Sequence, residues 1–264
     1  MKKFATIALT LAMAAASACA SATTVGICQL VQHEALDAAT QGFKDALTEK
    51  MPDVKFDEQN AAGDAATCVT ITSKFAADGV DLILANATSP LQAAVSATGD
   101  IPILGTSITD YATALGMKEW NGTTGINVSG TSDLAPLDGQ ASMIQELFPE
   151  AKNIGLLYCS AEANSVYQIT TIKGYLEEMG YTCTEFAFTD SNDVASVTQS
   201  AADSSDVVYI PTDNTAAAYT ETIANVLIPA KVPAVVGEEG ICKGCGVATL
   251  TISYYDLGYK TGEM

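Results

Sequence analysis

Two α/β lobes, each built on a parallel sheet covered by helices on both faces, are the fold that the sequence predicts. The length of 264 residues suits one large or two medium α/β domains. Short β-branched runs alternate with amphipathic stretches, which is typical of parallel sheets flanked by helices. The alternation begins a second time after residues 127–133, so a second lobe is expected there. A hydrophobic content of 48% and glycines without a period exclude a disordered chain, a collagen and a coiled coil.

The first set of elements opens with an apolar strand over Val25–Val31. Apolar residues then recur at helical spacing from Leu36 to Leu47, and Met51-Pro52 ends that helix. The other elements predicted in this set are a strand at Val54–Phe56, a helix at Asp64–Asp78, a strand at Val80–Leu84, a helix at Pro90–Thr98, and strands at Ile101–Leu104 and Thr124–Asn127.

The second set repeats the same alternation, and its helices are stopped by proline or glycine, as at Pro149 and Gly180. Its predicted helices are Leu134–Phe148, Ala163–Met179, Val194–Ala202 and Ala216–Ile228, and its predicted strands are Ile154–Tyr158, Cys183–Phe188, Val207–Pro211, Val232–Val236 and Val247–Ile252. A final helix opens at Tyr254 and has no stop signal, so we expect the natural chain to continue past Met264.

Residues 1–22 are predicted to be a secretory signal peptide. Lys2 and Lys3 precede an apolar run over Phe4–Ala16, and small residues with an Ala-x-Ala pattern end at Ala22. The run is too short to span a membrane. An alternative is lipid attachment at Cys19, which follows a loose lipobox. The mature protein is therefore expected in the periplasm or at the cell surface.

The charge excludes two classes of partner. The chain carries 31 acidic residues against 12 lysines and has no arginine, which gives a formal charge of −19. A nucleic-acid-binding protein needs a surface that neutralises phosphates, and this chain has none. Attraction to anionic lipid is excluded for the same reason.

Six cysteines follow the signal segment, an even number in a compartment that can be oxidising. Cys242 and Cys245 form a C-x-x-C pair that could be a metal half-site, a redox pair or a local disulfide. Zinc needs further ligands, and His33 is the chain's one histidine, so a turn staple or two free thiols is favoured. Cys159 and Cys183 are a candidate bridge, although their strand ends should lie at opposite edges of the sheet.

Motifs for catalysis are missing from the sequence. No serine lies in a G-x-S-x-G pattern, no phosphate-binding P-loop is present, and no G-x-G-x-x-G follows the first strand. Any catalytic imidazole would have to be His33. The sequence therefore predicts a protein that is not an enzyme and that needs no cofactor and no metal.

Polar residues follow the predicted strands, where ligands bind in α/β sheets. Without arginine, a ligand carboxylate would be held by helix N-termini and by hydroxyl or amide side chains. Asp213 or Glu162 would face a ligand ammonium. The alternative for each residue is helix capping alone. The candidate ligand-binding residues are Gln29, Thr88, Ser89, Asp110, Glu162, Asn164, Ser165, Asp213, Asn214 and Glu238.

Five motifs, in their order and spacing, resemble one family over essentially the whole mature chain. They are Gln29–Asp37, Asn127–Asp133, Tyr158–Ser165, Pro211–Asn214 and Tyr254–Gly262. The family is the extracytoplasmic solute-binding proteins of ABC importers, in the group that includes tryptophan- and tyrosine-binding members. Members usually show Thr-Pro where this chain has Thr88-Ser89-Pro90.

The resemblance implies a periplasmic-binding-protein type I fold, with a hinge and a cleft between two lobes. The N-terminal lobe would comprise 23–128, with 247–264 returning to it, and the C-terminal lobe 129–246. The implied ligand is a small amino-acid-like solute, for instance an aromatic amino acid. The implied partners are the membrane subunits of an ABC permease, and a monomer is expected.

Two other functions stay open at this point. The chain could be an exported thiol or redox protein that uses Cys242 and Cys245, or the ligand-sensing domain of a signalling receptor. The first lacks a catalytic pair in the sequence, and the second lacks an output domain in this chain.

Overall fold

The computed structural model describes residues 22–264. The predicted signal peptide up to Ser21, and the candidate lipid-attachment residue Cys19, lie outside the described residues. The first lobe is built from β1 (Thr24–Gln29), α1 (Glu34–Lys50), β2 (Lys55–Asn60), α2 (Ala65–Asp78), β3 (Leu82–Asn86), α3 (Thr88–Ala97), β4 (Ile103–Ile108), α4 (Tyr111–Ala114) and β5 (Val128–Ser132).

The chain then enters the second lobe. Its elements are α5 (Leu137–Leu147), β6 (Asn153–Cys159), α6 (Ala163–Glu178), β7 (Thr182–Phe188), α7 (Val194–Ser204), β8 (Val207–Ile210), α8 (Asn214–Ala218), α9 (Thr220–Ala230), β9 (Ala234–Val236), α10 (Glu239–Cys245) and β10 (Ala248–Thr249). The last helix, α11 (Tyr254–Glu263), packs against α1 and so returns to the first lobe.

Both sheets are parallel and share one topology. Their strand orders are β2-β1-β3-β4-β5 and β10-β9-β8-β6-β7, so the first strand of each lobe lies between the second and the third. This is the doubly wound order in which the chain changes direction beside the first strand and opens a crevice at the carboxyl ends of the strands. The predicted fold class is confirmed, with two lobes of five strands each.

Alternating side chains of each strand enter the cores on opposite faces of the sheet, as the pleat requires. In β1, Val25 and Ile27 pack beside Phe43 of α1, whereas Cys28 packs with Phe75 of α2. Helices therefore cover both faces of the sheet.

Several predicted elements differ from the structure. The helix predicted at Ala216–Ile228 is two helices, α8 and α9, which meet at Tyr219. The last strand of the first sheet is Val128–Ser132, whereas Thr124–Asn127 is a loop. Residues 239–245, expected to be a turn, form α10 because the Glu238 carboxylate caps its first amides. The strand predicted at Val247–Ile252 is reduced to β10, which pairs with β9 in the second sheet.

Two crossovers between the lobes are tied to each other by a buried hydrogen bond. Asp133 follows β5 and Tyr254 opens α11, and the Tyr254 hydroxyl donates to Asp133 Oδ2 at 2.8 Å. Burial raises the pKa of both groups. The pair therefore holds the two crossovers side by side.

Among the described residues, no helix is both long and apolar enough to cross a membrane.

The backbones of α1 and α11 touch at glycines. A Cβ on Gly258 would overlap the carbonyl group of Ala39, and one on Gly42 would overlap the Tyr255 carbonyl oxygen. Neither obstacle is a flexible side chain, so a larger residue could be accommodated only by moving the helices apart. The return of the chain to the first lobe depends on this close approach.

Gly258→Ala is therefore expected to lower the free energy of unfolding by about 1–3 kcal/mol, the usual cost of overpacking. Gly174→Ala is the matched control, since Gly174 also lies within a helix but has open space around it. There the substitution should raise stability by about 0.5–1 kcal/mol. Urea unfolding of both variants measures this, and equal effects would contradict the close approach.

Candidate ligand-binding cleft

A cavity of about 420 Å³ lies between the two lobes, at the carboxyl ends of both sheets. Its volume falls within the range of small-molecule sites. Its lining residues from the first lobe are Leu30, Val31, Ala62, Gly63, Ala65 and Ser89, and those from the second are Cys159, Ala161, Glu162, Thr189, Asp190, Ser191, Asn214, Thr215, Ala218 and Tyr219. Three predicted site residues, Ser89, Glu162 and Asn214, are therefore brought together in one cavity.

The wall from the first lobe presents the N-terminus of α3. Ala87 stands at the N-cap position and offers no side-chain cap to the first turn. The amides of Thr88 and Ser89 are among the groups that no residue within a helix can satisfy. With the Ser89 hydroxyl beside them, these amides form a site of partial positive charge suited to a carboxylate.

Backbone strain is concentrated at this edge of the first sheet. Ala62, Ala87 and Ser107 adopt positive φ angles of 53°, 97° and 57°, in a region that favours glycine. They follow β2, follow β3 and lie near the end of β4, respectively. Strained backbone of this kind is often found at binding sites, where the surrounding structure maintains it.

The wall from the second lobe is organised around Glu162. Its Oε1 accepts hydrogen bonds from the amide and hydroxyl of Thr215, at 2.9 and 2.8 Å. Its Oε2 accepts from the amide and the side-chain nitrogen of Asn214, at 3.1 and 2.7 Å. Glu162 thus holds the N-terminus of α8 and places a buried carboxylate at the wall of the cavity.

Asp190 and Tyr219 line the cavity, although neither is among the site residues that the sequence predicts. Asp190 follows β7 and is exposed, with Oδ1 accepting from the Asn192 amide at 2.8 Å. The rule that selects polar residues after strands would have found it, because Asp190 comes two residues after Phe188. Tyr219 joins α8 to α9 and gives the cavity an aromatic ring. No sequence signal distinguishes it from the other tyrosines.

Three predicted site residues of the first lobe are directed into other contacts. Gln29 is buried: Nε2 donates to Asp37 Oδ1 at 2.7 Å, and Oε1 accepts from the Thr40 hydroxyl at 2.6 Å. Thr88 is buried at the start of α3. Asp110 caps α4 by accepting from the Thr113 amide at 2.7 Å. None of the three lines the cavity.

In the second lobe, Asp213 is buried and both of its oxygens are occupied. Oδ1 accepts from the Ala216 amide at 2.8 Å and Oδ2 from the Cys159 amide at 2.7 Å. Burial, and then the Glu162 carboxylate, raise the pKa of Asp213 to about 7. This geometry favours the capping alternative. The role of ammonium partner stays a prediction.

Asn164, Ser165 and Glu238 lie behind the cavity wall and do not line it. The Asn164 side chain donates to the Thr212 carbonyl at 3.2 Å, and the buried Ser165 lies beside Asp213. Glu238 is buried and accepts from the amides of α10, and burial raises its pKa. The Glu238 side chain borders a separate cavity of about 240 Å³ beside His33.

The cysteines of the described chain are all free. The candidate Cys159–Cys183 bridge is wrong, because the register places Cys183 beside Ile154, five residues before Cys159. Five residues of strand span about 16 Å, more than twice what a disulfide can bridge. Burial raises the pKa of the Cys242 thiol, and it raises that of Cys245 to about 12. Neither is therefore a ready thiolate nucleophile.

Contacts across the cleft join the start of α1 to the second lobe. His33 Nε2 lies 3.2 Å from Asn214 Oδ1. Glu34 forms an ion pair with Lys243 of α10. The two lobes are therefore in contact on the side of the cavity where α1 begins.

The chain is similar in sequence to one protein family and to a tyrosine-binding protein. The sequence model of the ABC transporter substrate binding protein family matches residues 24–264. A tyrosine-binding protein of Clostridioides difficile (strain R20291) is 38% identical over 244 residues, which are 91% of this chain and 70% of that protein.

Two solved structures are informative about the arrangement of the lobes. The ABC domain from Streptococcus pneumonia in complex with L-Trp is 34% identical, with a TM-score of 0.87 over 91% of this chain and 83% of that one. The ligand-free, open structure of a substrate binding protein with adhesive properties from Clostridium difficile is 39% identical, with a TM-score of 0.64 over 92% and 83%. The lobes are thus arranged more like those of the L-Trp complex.

Proposed function

Because the chain belongs to the ABC transporter substrate binding protein family, we propose that it captures a free amino acid with an aromatic side chain between its lobes. The observation that carries this proposal is the distribution of charge across the cavity. Free helix amides and Ser89 lie on the first lobe, and the carboxylates of Glu162 and Asp190 lie on the second. A zwitterion that spans the cleft complements both walls.

The carboxylate of the ligand is assigned to the N-terminus of α3, and its ammonium to the Glu162 and Asp190 side of the cavity. Asp190 is the more available partner, since the structure gives only its Oδ1 a hydrogen bond. Glu162 contributes mainly through its negative charge, because its oxygens already accept from Asn214 and Thr215.

The aromatic side chain of the ligand is assigned to an apolar part of the cavity. Leu30, Val31, Ala218 and Tyr219 line the cavity with apolar groups, and the ring of the ligand is assigned to them, with Tyr219 as the stacking partner. The C. difficile relative is named for tyrosine binding, and the S. pneumonia structure holds L-Trp. Both ligands have the chemistry that this cavity would accommodate.

The family works outside the cytoplasm, and its members supply ABC transporters with substrate. The partners proposed here are accordingly the membrane subunits of a permease, and the protein is proposed to act as a monomer without catalysis. The high pKa values of Cys242 and Cys245 support this over a thiol enzyme. The protein is also proposed to be exported, with its signal peptide cleaved before residue 23 or with a lipid attached at Cys19.

The test is a thermal-shift panel followed by calorimetric titration, with L-tryptophan and L-tyrosine as probes. A ligand at about one hundred times its dissociation constant should add roughly 2.7 kcal/mol of stability. Tryptamine lacks the carboxylate and indole-3-propionate lacks the ammonium, so each should bind much more weakly than L-tryptophan. Equal binding of all three would contradict the zwitterion assignment, and no shift with either amino acid would exclude the ligand class.

A further inference from the structure

A chain of three side chains connects the lobes next to the cavity. His33 stands at the N-cap position of α1, where it makes no capping hydrogen bond. Its ring reaches across to Asn214, and Asn214 in turn donates to Glu162 Oε2 at 2.7 Å. Asn214 and Glu162 line the cavity, whereas His33 does not.

The hydrogen bonds fix the direction of this chain. Asn214 uses its side-chain nitrogen on Glu162, so the atom that faces His33 is its amide oxygen, an acceptor. His33 Nε2 must therefore carry the proton and donate. The other ring nitrogen, Nδ1, is buried without a partner among the described residues, as suits a neutral imidazole.

The contact between His33 and Asn214 exists only when the lobes are together, because the two residues belong to different lobes. Separation of the lobes would return both groups to water. The lobe arrangement, which is closer to the L-Trp complex than to the open ligand-free structure, is the one in which the contact forms.

From this placement we infer that His33 is a positioning residue that stabilises the closed form through Asn214, and so raises the affinity of the cavity without touching the ligand. The inference rests on the proposed function in one respect, the choice of L-tryptophan and L-tyrosine as the ligands with which affinity is measured. We call the His33–Asn214–Glu162 chain the interlobe latch.

The burial of His33 gives the latch a pH dependence, and the charged groups around the ring act against it. Asp37 and Glu34 lie on its own helix, Glu162 faces it from the second lobe, and Glu238 and Lys243 belong to the adjacent α10 segment. Burial lowers the pKa of His33, although the hydrogen bond to Asn214 and, after it, the charges of Glu162 and Asp37 oppose this. A histidine that is exposed in the open form titrates near its ordinary value of about 6.5. Closure is thus favoured above that pH and weakened as the pH falls below it.

The experiment compares His33→Ala, His33→Gln and the control Gln32→Ala by calorimetry with L-tryptophan and L-tyrosine at pH 7.5 and 5.5. His33→Ala should raise the dissociation constant about three- to tenfold at pH 7.5, the effect of one net hydrogen bond. His33→Gln retains an N–H donor, so it should recover most of the affinity and lose the His33 contribution to the pH dependence. Gln32 is an exposed neighbour outside the latch, so Gln32→Ala should change neither the affinity nor its pH dependence.

Small-angle scattering separates the two proposals. With ligand present, His33→Ala should populate larger dimensions than the parent protein. If the parent protein binds neither amino acid, the proposed ligand is wrong. The latch is then tested by scattering without ligand, and equal dimensions of the parent protein and His33→Ala would overturn it. An unchanged affinity in His33→Ala, or a pH profile that His33→Gln leaves unchanged, likewise overturns the latch.

Discussion

Glu162→Gln is expected to weaken ligand binding by about 2–5 kcal/mol, by analogy with truncated buried charge pairs. The glutamine has the same shape as the glutamate, but one of its two acceptor oxygens becomes an NH2 group. That group would face donors on Asn214 or Thr215, since every hydrogen bond the structure gives Glu162 through its carboxylate is accepted. The charge that faces the ligand ammonium is lost in the same step.

Titration calorimetry with L-tryptophan or L-tyrosine measures this effect, which corresponds to at least about a thirtyfold rise in the dissociation constant. Glu178→Gln is the control, because Glu178 is an exposed carboxylate on the same helix and its change removes the same charge. Far-ultraviolet circular dichroism establishes that the variant is folded. Binding within threefold of the parent protein would show that Glu162 only caps α8.

The fold could be predicted from the sequence because its signal is periodic and local. The first four strands of each lobe were located from apolar runs, apart from shifts at their ends. Strand β5 was misplaced because its residues, Val-Ser-Gly-Thr-Ser, have little of the apolar character that marks a buried strand. Helix α10 was missed because two glycines within it resemble a turn, whereas a capping carboxylate one residue before it stabilises the helix.

The site was predictable only in its location. The rule that ligands bind beyond the carboxyl ends of strands selects the correct edge of both sheets. It cannot decide whether a given Ser, Asp or Asn points into the cleft or back onto a helix, because that depends on side-chain rotamers and on the opposite lobe. Glu162 lines the cavity and Asp213 does not, although each precedes a helix and follows a strand.

Asp213→Asn is expected to change the pH dependence of the free energy of unfolding. The pKa of Asp213 is raised from 3.8 to about 7, first by burial and then by Glu162. A carboxyl group whose pKa is raised on folding contributes stability that is fully present below its unfolded value and is lost as the pH rises through the folded value. The stability of the parent protein should therefore contain a component of about 4 kcal/mol that is lost between about pH 4 and pH 7.

In the asparagine, one oxygen becomes an NH2 group that faces the amide of Ala216 or Cys159, and this cost does not depend on pH. The asparagine does not titrate, so the pH-dependent component should be missing from the variant. Urea unfolding between pH 4 and pH 8 measures the difference between variant and parent, which should move by about 4 kcal/mol in favour of the variant. Asp206→Asn is the control, because the contribution of Asp206 to stability changes with pH in the opposite direction. Asp206 accepts from the amides of Lys152 and Asn153, which lower its pKa, so its contribution is lost as the pH falls.

The same variant decides whether Asp213 only caps α8 or also binds the ammonium group of the ligand. Its oxygens contact the amides of Cys159 and Ala216, and the side chain does not line the cavity, so the folded Asp213→Asn protein should bind L-tryptophan or L-tyrosine within threefold of the parent. A pH-independent difference in stability would contradict the buried, proton-binding carboxyl group. Loss of affinity by more than about thirtyfold, in a variant that remains folded, would instead assign the ligand ammonium to Asp213, because a neutral amide cannot replace a buried charge.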